Sequence, residues 1–191
     1  VLFDLVINPL FAKKDILQER HVIIEEIKMY LDLPMSYVHD MLDEIMWKGH
    51  PLGMSLTGTI KSVSSFKRED FAAFKNKFYA PNNMLLSCSG NISFDQVVDY
   101  VSKNFVNQPK QPAHTYELVN DKQKKPNIKI LNKELEQTHM ALGIKAIHRK
   151  HPLRYAMGIL NIILGGNMSS RLFKEVREER GLVYEIKSSM T

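Results

Sequence analysis

The chain has one cysteine, Cys88, in 191 residues. No internal disulfide can form, and nothing asks for an oxidising compartment. Long apolar runs are also missing: no window approaches the roughly 18 consecutive apolar residues of a membrane-spanning helix. No secretory leader is visible, although a chain that opens at Val1 without an initiator methionine says nothing about targeting; the expected compartment is the cytoplasm. The net charge is +5, yet the Lys and Arg residues are scattered or offset by acids, as in KREDF and KEVREER. Aromatic residues do not interleave with basic ones as they do in single-strand binders. The expectation is therefore no nucleic-acid partner, and a mildly basic solvated surface that favours acidic peptides over basic ones. With 44% hydrophobic and 25% charged residues, the remainder is ordinary globular material, enough for one full domain and part of another.

What is present begins with the stretch QERHVIIEEIKMYLD, from Gln18 to Asp32. At about 100° per residue, Met29, Val22, Tyr30, Ile23, Ile16 and Ile27 form one arc, and Glu19 and Glu26 fall near its centre. Glu25, His21 and Lys28 fall on the opposite, water-facing side. Two carboxylates inside an apolar face need partners, because desolvating an unpaired one costs several kcal/mol. Two solutions stay open on these grounds: a Lys or Arg from elsewhere in the fold, giving a buried ion pair, or a metal ion.

The rest of the chain alternates helical and extended patterns. Helices are expected over Ile16 to Asp32, Ser36 to Trp47 and Arg68 to Phe78, the last through Phe71, Phe74 and Phe78. Lys48 to Gly53 reads as a turn. Met84 to Ser89 is short and continuously apolar, which predicts a buried strand with Cys88 in the core. Ser93, Phe94, Asp95 and Gln96 fit a capping box that opens a helix through Val97, Val98, Val101 and Phe105. From Val106 to Pro126 the text is rich in Pro, Lys, Gln and Asn without sustained period, and reads as a connector. Ile128 to Leu131 and His139 to Ala146 read as strands, the second alternating through Met140, Leu142, Ile144 and Ala146. Glu136 to His139 reads as a loop entering that strand, and an apolar helix follows from Leu153 until Gly165 and Gly166.

Near the end, Ser169 or Ser170 is expected to cap a helix RLFKEVREER that stops at Gly181, a residue suited to a left-handed C-cap. A strand LVYEIKSS follows, with Tyr184 on one face beside Leu182 and Ile186. Spacing alone makes Tyr184 a core or edge aromatic and Arg177 one helix-surface charge among many.

Taken together, ERHVIIEEIKMYLDLP, VHDMLDEIMWKGHPLG, LTGTIKSV, REDFAAFKNKFYAPNNMLLSCSGNI and GGNMSSRLFKEVREERGLVY resemble the M16 family of zinc metallopeptidases over nearly the whole chain. This is the pitrilysin, insulinase and mitochondrial processing peptidase family, and the wording is most similar to its bacterial processing-peptidase-like branch. The resemblance implies an α+β fold of two related lobes, each a sheet with packed helices. The first lobe would lack its N-terminal part and the second would be truncated. Residues 1–105 would be the C-terminal part of the first lobe, 106–126 the connector and 127–191 the N-terminal part of the second.

The resemblance also implies site residues. The second Glu of an ExxxxxxE pair, here Glu26, is the third zinc ligand, with Glu19 as the accessory acid; the other ligands are the two His of an HxxEH motif. Arg177 and Tyr184 match an RxxxxxxY pair that reaches the active site from the second half of such an enzyme. None of the seven His residues stands in HxxEH, His148 and His151 coming nearest. The chain thus reads as an internal fragment, expected by itself to be metal-free and inactive. The implied activity of the full-length parent is zinc-dependent endopeptidase cleavage of extended peptides, with zinc-bound water as nucleophile. The implied partners are a peptide substrate and a second M16-like subunit, in a homodimer or heterodimer. A noncatalytic M16-like partner or structural subunit is the alternative, and an unrelated α+β domain with Glu19 and Glu26 paired to basic side chains is a third.

Overall fold

A computed structural model describes residues 2–104, 110–112, 115–119 and 123–190. The chain divides into two units, Val1–Gly143 and Ile144–Thr191. The first opens with helix α1 (Leu2–Ile7), followed by α2 (Lys13–Leu31), α3 (Pro34–Met46), α4 (Ile60–Ser65), α5 (Arg68–Phe78) and α6 (Phe94–Asn104). The second contains α7 (Arg154–Gly165) and a π-helical turn, Phe173–Glu178.

Local chemistry sets most of these boundaries. Proline cannot donate a helical hydrogen bond and disfavours helical geometry in the residue before it; Leu33 accordingly leaves α2 at φ −109° and ψ 86°, and Pro34 starts α3 at a position where no N–H is needed. Thr59 and Ser62 form a reciprocal capping box at the start of α4, with Ser62 N–H donating to Thr59 Oγ1 at 3.0 Å and Thr59 N–H to Ser62 Oγ at 2.9 Å. The expected box at α6 is present: Gln96 N–H donates to Ser93 Oγ at 3.3 Å and Ser93 N–H to Gln96 Oε1 at 3.0 Å. Phe105, the last residue expected in that helix, and much of the expected connector lie outside the described residues.

Helix α2 packs against both α3 and α4. The buried side chains Ile27, Met41 and Val63, one from each of the three, are the centre of this unit's core.

The same turn is built twice. In His50-Pro51-Leu52, the Leu52 N–H donates to His50 Nδ1 at 3.2 Å; in His151-Pro152-Leu153, the Leu153 N–H donates to His151 Nδ1 at 3.1 Å. An accepting Nδ1 places the proton of the neutral ring on Nε2, and His50 Nε2 faces the Glu117 carbonyl at 3.2 Å.

The expected α+β class, with sheets in both lobes, is corrected by the structure. About half of the described residues are helical, 51%, and no strand or sheet is formed among them. The four segments read as strands run without ladder partners. Apolar alternation defines the two faces of an extended segment but does not supply the neighbour that completes a ladder. Met84 to Ser89 is exposed rather than buried, Leu85 retaining 91% of its surface, and Cys88 is exposed with it.

The segment from Ile128 to Lys133 is held by its charges. Lys129 pairs with Glu44, Lys133 Nζ donates to Asp32 Oδ1 at 2.7 Å, and Asn127 Nδ2 donates to the Ile45 carbonyl at 3.3 Å. Those bonds turn the lysine-bearing side toward α3 and leave Ile128 and Ile130 exposed. Further on, Met140 and Leu142 point outward, whereas Gly143 rests on α3 so closely that a Cβ would meet Met46 and Leu42.

Candidate active site

Glu19 and Glu26 occupy one face of α2, seven residues and therefore two turns apart, about 10.5 Å along the axis. The packed face of the helix is the neighbouring arc of Ile16, Arg20, Ile23, Ile24 and Ile27. Both carboxylates are exposed, as are Val22, Met29 and Tyr30 beside them. The expectation that the acids are buried is thus corrected. An apolar arc this broad exceeds what α3 and α4 cover, and the covered part is the isoleucine row.

No Lys, Arg or His pairs with Glu19 or Glu26 among the described residues. The neighbouring Glu25 does pair, with Lys28 at 2.7 Å. Among the described residues, then, neither acid is in a buried ion pair, and their oxygens have no basic partner.

Sequence reasoning missed Arg20. Its Nη2 donates to the Phe66 carbonyl at 2.7 Å, tying α2 to the end of α4, and its Nε is buried. The wheel position of Arg20, between Ile27 and Ile24, was the available signal.

In the second unit, Arg177 lies on the π-helical turn and Tyr184 on the extended segment after it. The Arg177 guanidinium carbon is 4.6 Å from the Phe173 ring centroid and 5.7 Å from that of Tyr184. Gly181, at φ 59°, reverses the chain between them. Its N–H donates to the Arg177 carbonyl at 3.2 Å, and the Leu182 N–H donates to the Val176 carbonyl at 3.1 Å. Left-handed φ is accessible to glycine without a Cβ clash.

The segment then lies along α7. The Ser188 N–H donates to the Gly165 carbonyl at 3.0 Å and its hydroxyl to the Asn161 carbonyl at 3.0 Å. Tyr184 and Leu182 are exposed, whereas Ile186 is half-buried. The expected serine cap does not form: no side chain caps this helical segment, and Asn167 Oδ1 accepts from the Ser169 N–H at 2.8 Å in the turn before it. The Ser170 hydroxyl is buried and bonds to nothing among the described residues.

Neither pair by itself makes a metal site. Among the described residues, no three His, Cys, Asp or Glu side chains converge on one point. An apolar cavity of about 300 Å³, between Phe3, Val6, Met84, Leu86 and Val101, contains none of the four candidate residues. No helix of the described residues is long and apolar enough to cross a membrane.

Known proteins resemble the chain along its length. Residues 65–191 match the family profile described as the peptidase M16 inactive domain, and residues 1–60 match that of insulinase, peptidase family M16. The chain is 36% identical over 196 residues to the uncharacterized zinc protease YmxG of Bacillus subtilis, covering 98% of this chain and 45% of that protein. It is 34% identical over 189 residues to an uncharacterized zinc protease of Rickettsia felis, again covering 98% of this chain and 45% of the relative. A crystal structure of a peptidase M16 inactive domain from Pseudomonas fluorescens matches with a TM-score of 0.71 at 22% identity, over 96% of this chain and 45% of that one. The structural likeness concerns the fold, and the chain spans under half the length of the relatives it matches.

Proposed function

This chain belongs to the peptidase M16 family, and from that premise we propose that the full protein is a zinc-dependent endopeptidase cleaving extended peptides. The observation that carries the reading is the state of Glu19 and Glu26. They share one exposed face, flanked by Val22, Met29 and Tyr30, with no basic partner among the described residues. A carboxylate so placed is available as an oxygen ligand.

The donor chemistry fits zinc as one contributed ligand rather than as a whole site. Glu26 would hold the metal, and imidazoles from other parts of the full protein would complete the set. Zinc bound there supplies a Lewis acid and lowers the pKa of coordinated water. Glu19, two turns away on the same face, supports the ligand shell through hydrogen bonds and holds a proton in transit. Arg177 directs its N–H donors to a backbone carbonyl that holds the peptide, and the Tyr184 hydroxyl donates to the oxyanion that develops at the scissile bond. A second M16-like subunit is the expected partner, in a homodimer or heterodimer.

The test is hydrolysis of a mixed peptide library by the full protein before and after chelation, with zinc added back. Cleavage that chelation abolishes and zinc restores supports the peptidase. A folded, zinc-supplied protein that cleaves nothing favours the noncatalytic subunit instead. Cleavage indifferent to the chelator contradicts the metal.

A further inference from the structure

Arg177 sits in an unusual piece of backbone. From Phe173 to Glu178 the chain is π-helical, and the Glu179 N–H donates to the Lys174 carbonyl five residues back, at 2.9 Å. Such turns are uncommon and recur at functional positions, because the widened turn re-aims the side chains it carries. Here it sets the Phe173 ring 4.6 Å from the Arg177 guanidinium carbon, closer than Tyr184 at 5.7 Å. Phe173 and Arg177 are both half-buried, whereas Tyr184 is exposed.

The guanidinium has three carboxylates close in sequence, Glu175, Glu178 and Glu179, and pairs with none among the described residues. At two residues before and one and two after, these acids do not face Arg177 on a helical turn, whereas Phe173, four residues back, does. A ring that holds the guanidinium by its face leaves the N–H donors at its edge uncommitted.

We propose that Phe173, carried on the π-helical turn, is the positioning residue for Arg177: its ring holds the guanidinium between Phe173 and Tyr184, keeping the N–H edge free for a peptide carbonyl. This rests on the reading that Arg177 binds substrate. Phe173 itself touches no substrate. Its loss leaves the guanidinium free to swing and weakens substrate binding in ground and transition state alike, so the effect falls on KM and spares kcat.

The test measures peptide hydrolysis by the full protein and its Phe173→Leu, Phe173→Trp and Arg177→Ala variants, alongside the NMR shift of the Arg177 Nε–H proton. The expected result for Phe173→Leu is a KM raised about 5- to 10-fold with kcat within about twofold, and an Arg177 proton that loses its ring-current shift. Phe173→Trp, which keeps a ring, restores both. A normal KM in Phe173→Leu beside an impaired Arg177→Ala overturns the proposal and leaves the role of Arg177 intact. An unimpaired Arg177→Ala overturns that role and the proposal with it. Should Phe173→Leu fail to fold, Phe173→Trp and Phe173→Tyr decide: retained KM and ring-current shift support the stack, and a raised KM in both overturns it.

Discussion

Tyr184 is exposed, and the Arg177 guanidinium lies over its ring, 5.7 Å from the centroid. If the Tyr184 hydroxyl donates to an oxyanion, removing it costs transition-state stabilisation while leaving substrate binding nearly intact. Tyr184→Phe is expected to lower kcat about 10- to 100-fold with little change in KM, read from steady-state peptide hydrolysis. Gly165 makes a purely structural demand. A Cβ there would lie 2.6 Å from the Ser188 nitrogen, which is backbone and cannot swing aside. Gly165→Ala is expected to break the Ser188 bond and destabilise the second unit by about 1–3 kcal/mol, measured by denaturant unfolding. At this scale the spacing of Glu19 and Glu26 was readable, and so was their separation from Glu25, which the structure pairs with Lys28. Their exposure was not, because a helical wheel shows which residues share a face and leaves open which part of a broad face the neighbouring helices cover.

Among the elements, the helices announce themselves through caps and prolines. The box at Ser93 and Gln96 formed as its residue types require. Ser93→Ala is expected to cost about 1 kcal/mol, seen as faster hydrogen exchange at the first amides of α6. The extended segments mislead for a physical reason. Alternation in His139 to Ala146 describes two faces of one segment, while a sheet also requires a second backbone at hydrogen-bonding distance, and the sequence of one segment does not name it. The π-helical turn was hidden for a related reason. RLFKEVREER has the composition of an ordinary helix, and the difference between i→i−4 and i→i−5 bonding arises from packing and from the reversal at Gly181.

On the scale of the molecule, the first unit rests on a small core where α2, α3 and α4 meet. Ile27 is its contribution from α2, the helix that also carries Glu19 and Glu26. Ile27→Ala is expected to cost about 2–4 kcal/mol and to loosen that face, measurable as a lower melting temperature together with weaker zinc retention in the full protein. The most direct measurement is the zinc content of the full protein and of its Glu26→Gln and Glu25→Gln variants, each confirmed folded. The predicted result is about one zinc per chain in the parent and in Glu25→Gln, and loss of tight zinc in Glu26→Gln, because an amide oxygen is a much poorer ligand than a carboxylate. Full zinc in Glu26→Gln, or its loss in Glu25→Gln alone, would contradict the assignment of Glu26 as the ligand.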